Sequence, residues 1–149
     1  SDRRLSARKG HRLIYLLSVA QRRVQRAVAA NSTEAVSPAQ AGLLFVLGQR
    51  DGVLMGEAGA ALDLGPAGIS GLVDRTAAAG LVERRADERD ARAWRLFLTA
   101  KGRKSLLHAK ETAREMNARL AQGFSDDEID IVARWLTSIQ GKFPKGDGE

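Results

Sequence analysis

The 149-residue sequence predicts an α+β, mostly helical fold, and three observations carry that expectation. Apolar residues recur at helical spacing near both ends of the chain, from Leu13 to Val28 and from Ile129 to Phe143. Helix-start signals divide the interior. One stretch, RRADERDARAWRLFL over residues 84 to 98, ends in the alternation of a half-buried strand, with Trp94, Leu96 and Leu98 on one face.

The first element runs from about Lys9 to Ala30, an amphipathic helix with Leu13, Leu16, Leu17, Ala20, Val24, Ala27 and Val28 on one side and a basic back. Ser37-Pro38-Ala39-Gln40 combines a capping Ser, a Pro at the first helical position and a Gln placed to close a capping box, so a second helix starts there and ends near Arg50. Gly56 to Leu62 reads as a short helical stretch and Asp63-Leu64-Gly65 as a turn. Pro66 to Ala79 is a further helix, closed by Gly80, a residue suited to the left-handed C-terminal cap. Leu81 to Ala86 and Ala93 to Leu98 then pair as an antiparallel hairpin around residues 87 to 92. Thr99 opens a helix to about Gln122 with Leu106, Ala113, Asn117 and Leu120 as its seam. Ser125-Asp126-Asp127-Glu128 is a second capping box, flanked by Phe124 and Ile129, and its helix carries Ile129, Val132, Leu136, Ile139 and Phe143 on one face. A helix, a short turn and a helix followed by a charged hairpin make a winged helix-turn-helix.

A chain of this size buries roughly 68–70% of the surface its unfolded form exposes, enough for a real core. It has no cysteine, which excludes disulfides and thiol redox sensing, and its two histidines, His11 and His108, are too few and too far apart in sequence for a structural zinc site. No window approaches the roughly eighteen consecutive apolar residues of a membrane span, and the N-terminal SDRRLSARKGHR lacks an apolar signal core, so a cytoplasmic protein is expected. No clustered His/Asp/Glu set, no nucleophile at motif spacing from a base and no phosphate loop is present, so neither an enzyme nor a cofactor or metal is expected.

The formal charge of +6 is concentrated in two blocks. Residues 1 to 30 carry +7 and residues 84 to 104 carry +5, whereas residues 31 to 83 sum to −4 and residues 105 to 149 to −2. Two basic blocks on an otherwise acidic chain are the pattern of an electrostatic footprint for phosphates, against the plainer alternative of a solvated basic surface.

The second helix of a helix-turn-helix enters the major groove by its N-terminal turns. Here Ile69, Leu72, Val73 and Thr76 would face the core, leaving Ala67, Gly68, Ser70, Gly71, Asp74 and Arg75 towards DNA. Only Ser70, Asp74 and Arg75 can make side-chain hydrogen bonds, and the helix start has no arginine, so direct base readout should be thin. On the first helix, Arg8, His11, Arg12 and Tyr15 share a face opposite the main apolar seam. Cations beside an aromatic ring suit a carboxylate or phenolate ligand, and a solvated basic face is the plainer reading.

Leu72-Val73-Asp74-Arg75, Gly80-Leu81-Val82, Arg84-Arg85, Asp87, Asp90, Arg92 and Leu98-Thr99 with Gly102, in this order and spacing, make the chain resemble the multiple antibiotic resistance regulator (MarR) family of winged-helix transcription factors. The resemblance runs over nearly the whole length. It implies a homodimer joined through N- and C-terminal helices, a palindromic duplex-DNA operator, usually repression, and often relief by small aromatic or phenolic acids. It also implies that Asp90 braces the wing and that Arg92 reaches into the minor groove, where a narrow A·T tract concentrates negative potential. Arg84, Arg89 and Arg95 are then expected at phosphates. The sequence departs from the family's usual pattern at Ala67, Gly68 and Gly71 in the reading helix and at Ala58 and Gly59 before it, where larger or more polar residues are common. The expected organisation is a single domain over residues 1–149, with dimerisation helices at about 9–30 and 100–143 and the winged helix-turn-helix at about 37–99. The rival is a winged helix used as a protein-interaction module without DNA binding.

Overall fold

The computed structural model describes residues 2–31 and 36–144, with side chains described from residue 12 onward. Within them the order is α1 (Asp2–Asn31), α2 (Pro38–Gln49), β1 (Val53–Leu54), α3 (Met55–Ala61), α4 (Pro66–Ala78), β2 (Val82–Ala86), β3 (Trp94–Leu98), α5 (Ala100–Ala121) and α6 (Asp126–Lys142). The mostly helical expectation is met.

The helix ends follow the local chemistry. Ser37 Oγ accepts the Gln40 N–H at 3.2 Å and Gln40 Oε1 accepts the Ser37 N–H at 2.9 Å, which opens α2. The same reciprocal pair between Ser125 and Glu128, at 3.2 and 2.9 Å, opens α6. Thr99 caps α5 through the Gly102 N–H at 2.9 Å. At the far end of α4, Gly80 takes φ +76°, and the Leu81 and Gly80 N–H groups return to the Thr76 and Ala77 carbonyls at 3.1 and 2.9 Å, the paired bonds of a Schellman cap.

The core is the winged helix itself. Leu43, Leu44 and Leu47 of α2, Ile69, Leu72 and Val73 of α4, Leu81, Val82, Leu96 and Leu98 of the hairpin and Leu106 of α5 form one buried cluster. All four residues expected on the inner face of α4 are buried, Thr76 donating its hydroxyl to the Leu72 carbonyl at 2.7 Å.

Two features of the sheet differ from expectation. It has a third strand, in the antiparallel order β1-β3-β2, because Val53 and Leu54 pair with Leu96 and Arg95. A strand of two residues is too short to show a period. Trp94, expected on the buried face with Leu96 and Leu98, is 42% exposed. It pairs with Ala86 on one side, but β1 ends opposite Arg95, so the strand that covers Leu96 stops short of Trp94.

The outer helices leave apolar surface uncovered in the single chain. Leu13, Ile14, Leu16 and Leu17 of α1 are exposed, as are Ile131, Val132 and Leu136 of α6 and Phe143 at its end, and α6 buries no residue at all. On α5 the expected seam is split: Leu106 is buried and Ala113 half-buried, while Asn117 and Leu120 are exposed. No described helix is long and apolar enough to cross a membrane.

Candidate nucleic-acid interface

The site is built on α4 and the β2–β3 wing beside it. Pro66 at the first turn and Gly65 as its cap start α4, and the turn before it is closed by Leu64 N–H to Gly59 O at 2.8 Å. Gly59 has a packing reason: a Cβ there would stand 3.1 Å from the Leu64 carbonyl oxygen and 3.3 Å from Ile69. Glycine lets α3 and α4 approach closely at the turn. The six residues expected towards DNA lie on the outer side of α4, Ala67, Gly68, Asp74 and Arg75 exposed and Ser70 and Gly71 half-buried.

The charged hairpin tip is an ordered network of its own. Asp87 accepts the Arg89 and Asp90 N–H groups at 3.3 and 3.1 Å, and its other oxygen accepts Arg95 Nε–H at 2.6 Å. The hydrogen bond from Arg95 and those backbone N–H groups outweigh burial and hold the Asp87 carboxyl below its ordinary range. Asp90 accepts the Arg92 N–H at 3.0 Å, and its carbonyl accepts the Ala93 N–H at 3.0 Å. Two successive aspartate turns therefore shape the loop.

These contacts redistribute the expected roles. Arg95, expected at a phosphate, donates to Asp87 and, through Nη1, to the Gly52 carbonyl at 2.8 Å, tying the wing to the turn before β1. Arg84, also expected at a phosphate, forms an ion pair with Asp74 of α4, which links the wing to the reading helix. Arg85 pairs with Glu83 and lies 4.3 Å over the Phe97 ring. Arg89, Arg92 and Arg75 have no acidic partner among the described residues, and all three are exposed. Arg92 borders an open groove of about 610 Å3 between α3, the start of α4 and the wing, with Met55, Leu64, Pro66 and Trp94 among its walls. Asp87 is a further brace, and its signal in the sequence is an aspartate at the start of a loop, the residue type that accepts from backbone N–H groups two and three positions on.

One consequence is testable by pH. A carboxylate whose folded pKa is lowered stabilises the fold above its unfolded value, and that contribution is lost only as pH falls through the lower folded value. The wing brace should thus be fully charged from neutral pH down through pH 5. Following the Asp87 carboxyl by NMR should give a midpoint below 3.8, and one above it would contradict the Arg95 contact.

The expected ligand face is not assembled by what is described. The side chains of Arg8 and His11 lie outside the described residues; Arg12 is exposed and Tyr15 is 68% exposed. A cavity of about 280 Å3 lies instead between α1, α2 and α5, with Val28, Phe45, Ser105, His108, Thr112 and Ala113 among its walls. The sequence could not reveal it, since these residues come from three separate helices.

A family model described as "MarR family" matches residues 36–93, the helix-turn-helix and most of the wing. A transcriptional repressor, CouR, solved bound to a 23-mer DNA duplex, is 30% identical, with 85% of this chain and 91% of that one aligned at a TM-score of 0.75. The chain belongs to the MarR family. A probable transcriptional regulator from Pseudomonas aeruginosa is 26% identical over 85% of this chain and 96% of that one, at a TM-score of 0.79. The PcaV transcriptional regulator from Streptomyces coelicolor, in complex with its natural ligand, shares the fold at 19% identity, 87% and 92% coverage and a TM-score of 0.82. These neighbours are transcriptional regulators, not enzymes. No curated protein sequence matches the chain.

Proposed function

We propose that this MarR-family protein is a homodimeric, sequence-specific duplex-DNA-binding transcriptional repressor that works in the cytoplasm. The observation that carries the reading is the wing: Asp87 and Asp90 are spent on loop and strand contacts, and Arg89 and Arg92 remain without an acidic partner among the described residues at its tip, beside an α4 whose outer face is open. Arg92 enters the minor groove, Arg89 takes a phosphate, and Asp87, Asp90, Arg84 and Arg95 hold the wing in shape. The uncovered apolar residues of α1 and α6 support dimerisation through the terminal helices, and a twofold dimer supports an inverted-repeat operator with centres about 10 to 10.5 base pairs, or a near multiple, apart. That a 30% identical relative was solved as a repressor on DNA supports both halves.

Selection of bound sequences from a random duplex pool tests the reading. An enriched inverted repeat is expected; a pool without enrichment contradicts it and favours the protein-interaction module. On the enriched operator, Arg92→Ala should cost about 1–3 kcal/mol and lower the preference for A·T flanks. Asp90→Ala should weaken binding although it removes a negative charge, because the Arg92 N–H loses its acceptor. Binding of both variants equal to wild type would reduce the tip to a solvated turn. Arg95→Ala should weaken binding without changing the salt slope, since its guanidinium works inside the wing.

Relief by a small aromatic or phenolic acid completes the proposal. The α1–α2–α5 cavity supports it: apolar walls with Ser105, His108 and Thr112 suit a flat ring carrying one polar end. A benzoate or salicylate should raise the thermal midpoint and release operator together, the two being linked. Acids that do neither would remove the effector from the account.

A further inference from the structure

We propose that Arg75 is the base-reading side chain of α4, that the base it reads is guanine, and that Gly71 is what puts it in place. The inference rests on the DNA-binding reading above and adds to it the base recognised and the residue that positions the reader.

Helix side chains tilt towards the N-terminus, so a long side chain at position 75 lies back over position 71. Here it does so closely. A Cβ on Gly71 would stand 3.3 Å from Arg75 Nη1, so the guanidinium occupies the helix surface that a side chain at residue 71 would otherwise fill. That carries its donors one turn nearer the N-terminal end of α4, the end a reading helix inserts into the major groove. Ala67 and Gly68 continue the same exposed side with nothing longer than a methyl, so the helix can sit deep while Arg75 supplies the reach.

The charges leave Arg75 available. The acid beside it in sequence, Asp74, is paired with Arg84 and drawn towards the wing, and no acid among the described residues pairs with Arg75. A planar guanidinium fork matches the two acceptors N7 and O6 that guanine shows in the major groove, whereas adenine offers a donor in place of the second. Sequence places Arg75 towards DNA without giving its reach, because an arginine late in a reading helix ordinarily lies too far along to reach a base. The glycine four residues earlier changes its reach.

The test uses the full-length protein on its selected operator, with each guanine replaced in turn by 7-deazaguanine, which keeps Watson–Crick pairing and lacks the N7 acceptor. One guanine per half-site is expected at which the replacement weakens wild type about tenfold or more, while Arg75→Ala, already weakened, shows no further loss there. Arg75→Lys should lose the same discrimination and keep the salt slope, since it retains charge and lacks the fork. Gly71→Leu, with its thermal midpoint measured beside it, should behave like Arg75→Ala although the arginine is still present; if that variant fails to fold, the lysine variant decides. Undiminished 7-deazaguanine sensitivity in Arg75→Ala would assign that N7 to another donor, and an equal loss on every duplex with the salt slope reduced by about one unit would make Arg75 a phosphate contact; either result overturns the inference. A pool with no enriched sequence would overturn the DNA-binding reading itself, and this inference with it.

Discussion

Gly102→Ala should lower the thermal midpoint by about 10 °C or prevent folding altogether. A Cβ at this position in the first turn of α5 would lie 1.9 Å from the Leu81 carbonyl oxygen and 3.0 Å from its carbon. Both are backbone atoms, and neither has room to move. The same carbonyl accepts the Thr99 N–H at 3.1 Å, the Thr99 hydroxyl donates to the Gly80 carbonyl at 2.6 Å, and Lys101 Nζ donates to the Ala79 carbonyl at 2.9 Å. The close approach is thus one part of a joint that fastens the C-terminal end of α4 to the start of α5. Overpacking a tight site costs about 1–3 kcal/mol and occasionally more, and contact with backbone belongs at the upper end. For a chain of this length about 3 kcal/mol moves the midpoint by roughly 10 °C. Gly56→Ala is the control: an added Cβ there meets nothing within 4 Å, and its effect should be within about 0.5 kcal/mol or slightly stabilising. Equal midpoints for the two variants would mean that α5 does not sit on Leu81 as described.

Leu136→Glu should convert the proposed dimer to monomer and weaken operator binding by about 100-fold or more. Leu136 is exposed in the single chain, on a helix that buries nothing of its own, one turn from the exposed Val132. In the proposed dimer the apolar side chains of the two terminal helices would be covered, and a carboxylate placed among them would have to be desolvated without a partner. Loss of the dimer separates two half-site contacts that otherwise act as one, and an avidity of roughly 10²–10⁴ is lost with it. Sedimentation read beside an operator titration checks both parts. A variant that stays dimeric and binds normally would remove α6 from the interface.

The elements legible in the sequence are those set by neighbours along the chain. The capping boxes at Ser37 and Ser125, the Thr99 cap and the left-handed Gly80 are decided within a few residues, and so is the alternation that buries Leu96 and Leu98. The inner face of α4 follows from helical period, and Ile69, Leu72, Val73 and Thr76 are buried as that period requires. What escaped reading depends on residues far apart in the chain. β1 exists because Val53 and Leu54 meet Leu96 and Arg95, and Trp94 is exposed because that pairing ends one residue too soon. The Leu98 N–H is held at 2.9 Å by Asp51, whose other oxygen pairs with Arg103 at 3.2 Å, and no pattern along the chain joins these three.

The charged tip shows the same limit at the candidate site. From sequence it is either a solvated turn or a finger for a polyanion, whereas in the structure Asp87, Asp90 and Arg95 hold the loop itself and Arg84 ties it to α4. Arg95 closes on Asp87 across the hairpin, which depends on strand register, and Arg84 on Asp74, ten residues away, which depends on how the hairpin packs against α4. The arginines left over are fewer than the composition suggests, which narrows the proposed contacts to Arg75, Arg89 and Arg92.

The salt dependence of duplex binding tests the central claim most directly. Titrating the protein with its selected duplex at rising salt should give an affinity that falls steeply and linearly on logarithmic axes, with a slope set by the number of phosphates neutralised. Arg89→Ala should reduce that slope by about one unit, and a duplex of scrambled sequence should bind more weakly throughout. A protein that binds no duplex at low salt, or binds with an affinity indifferent to salt and sequence, would contradict the account and leave the wing as a surface for another protein.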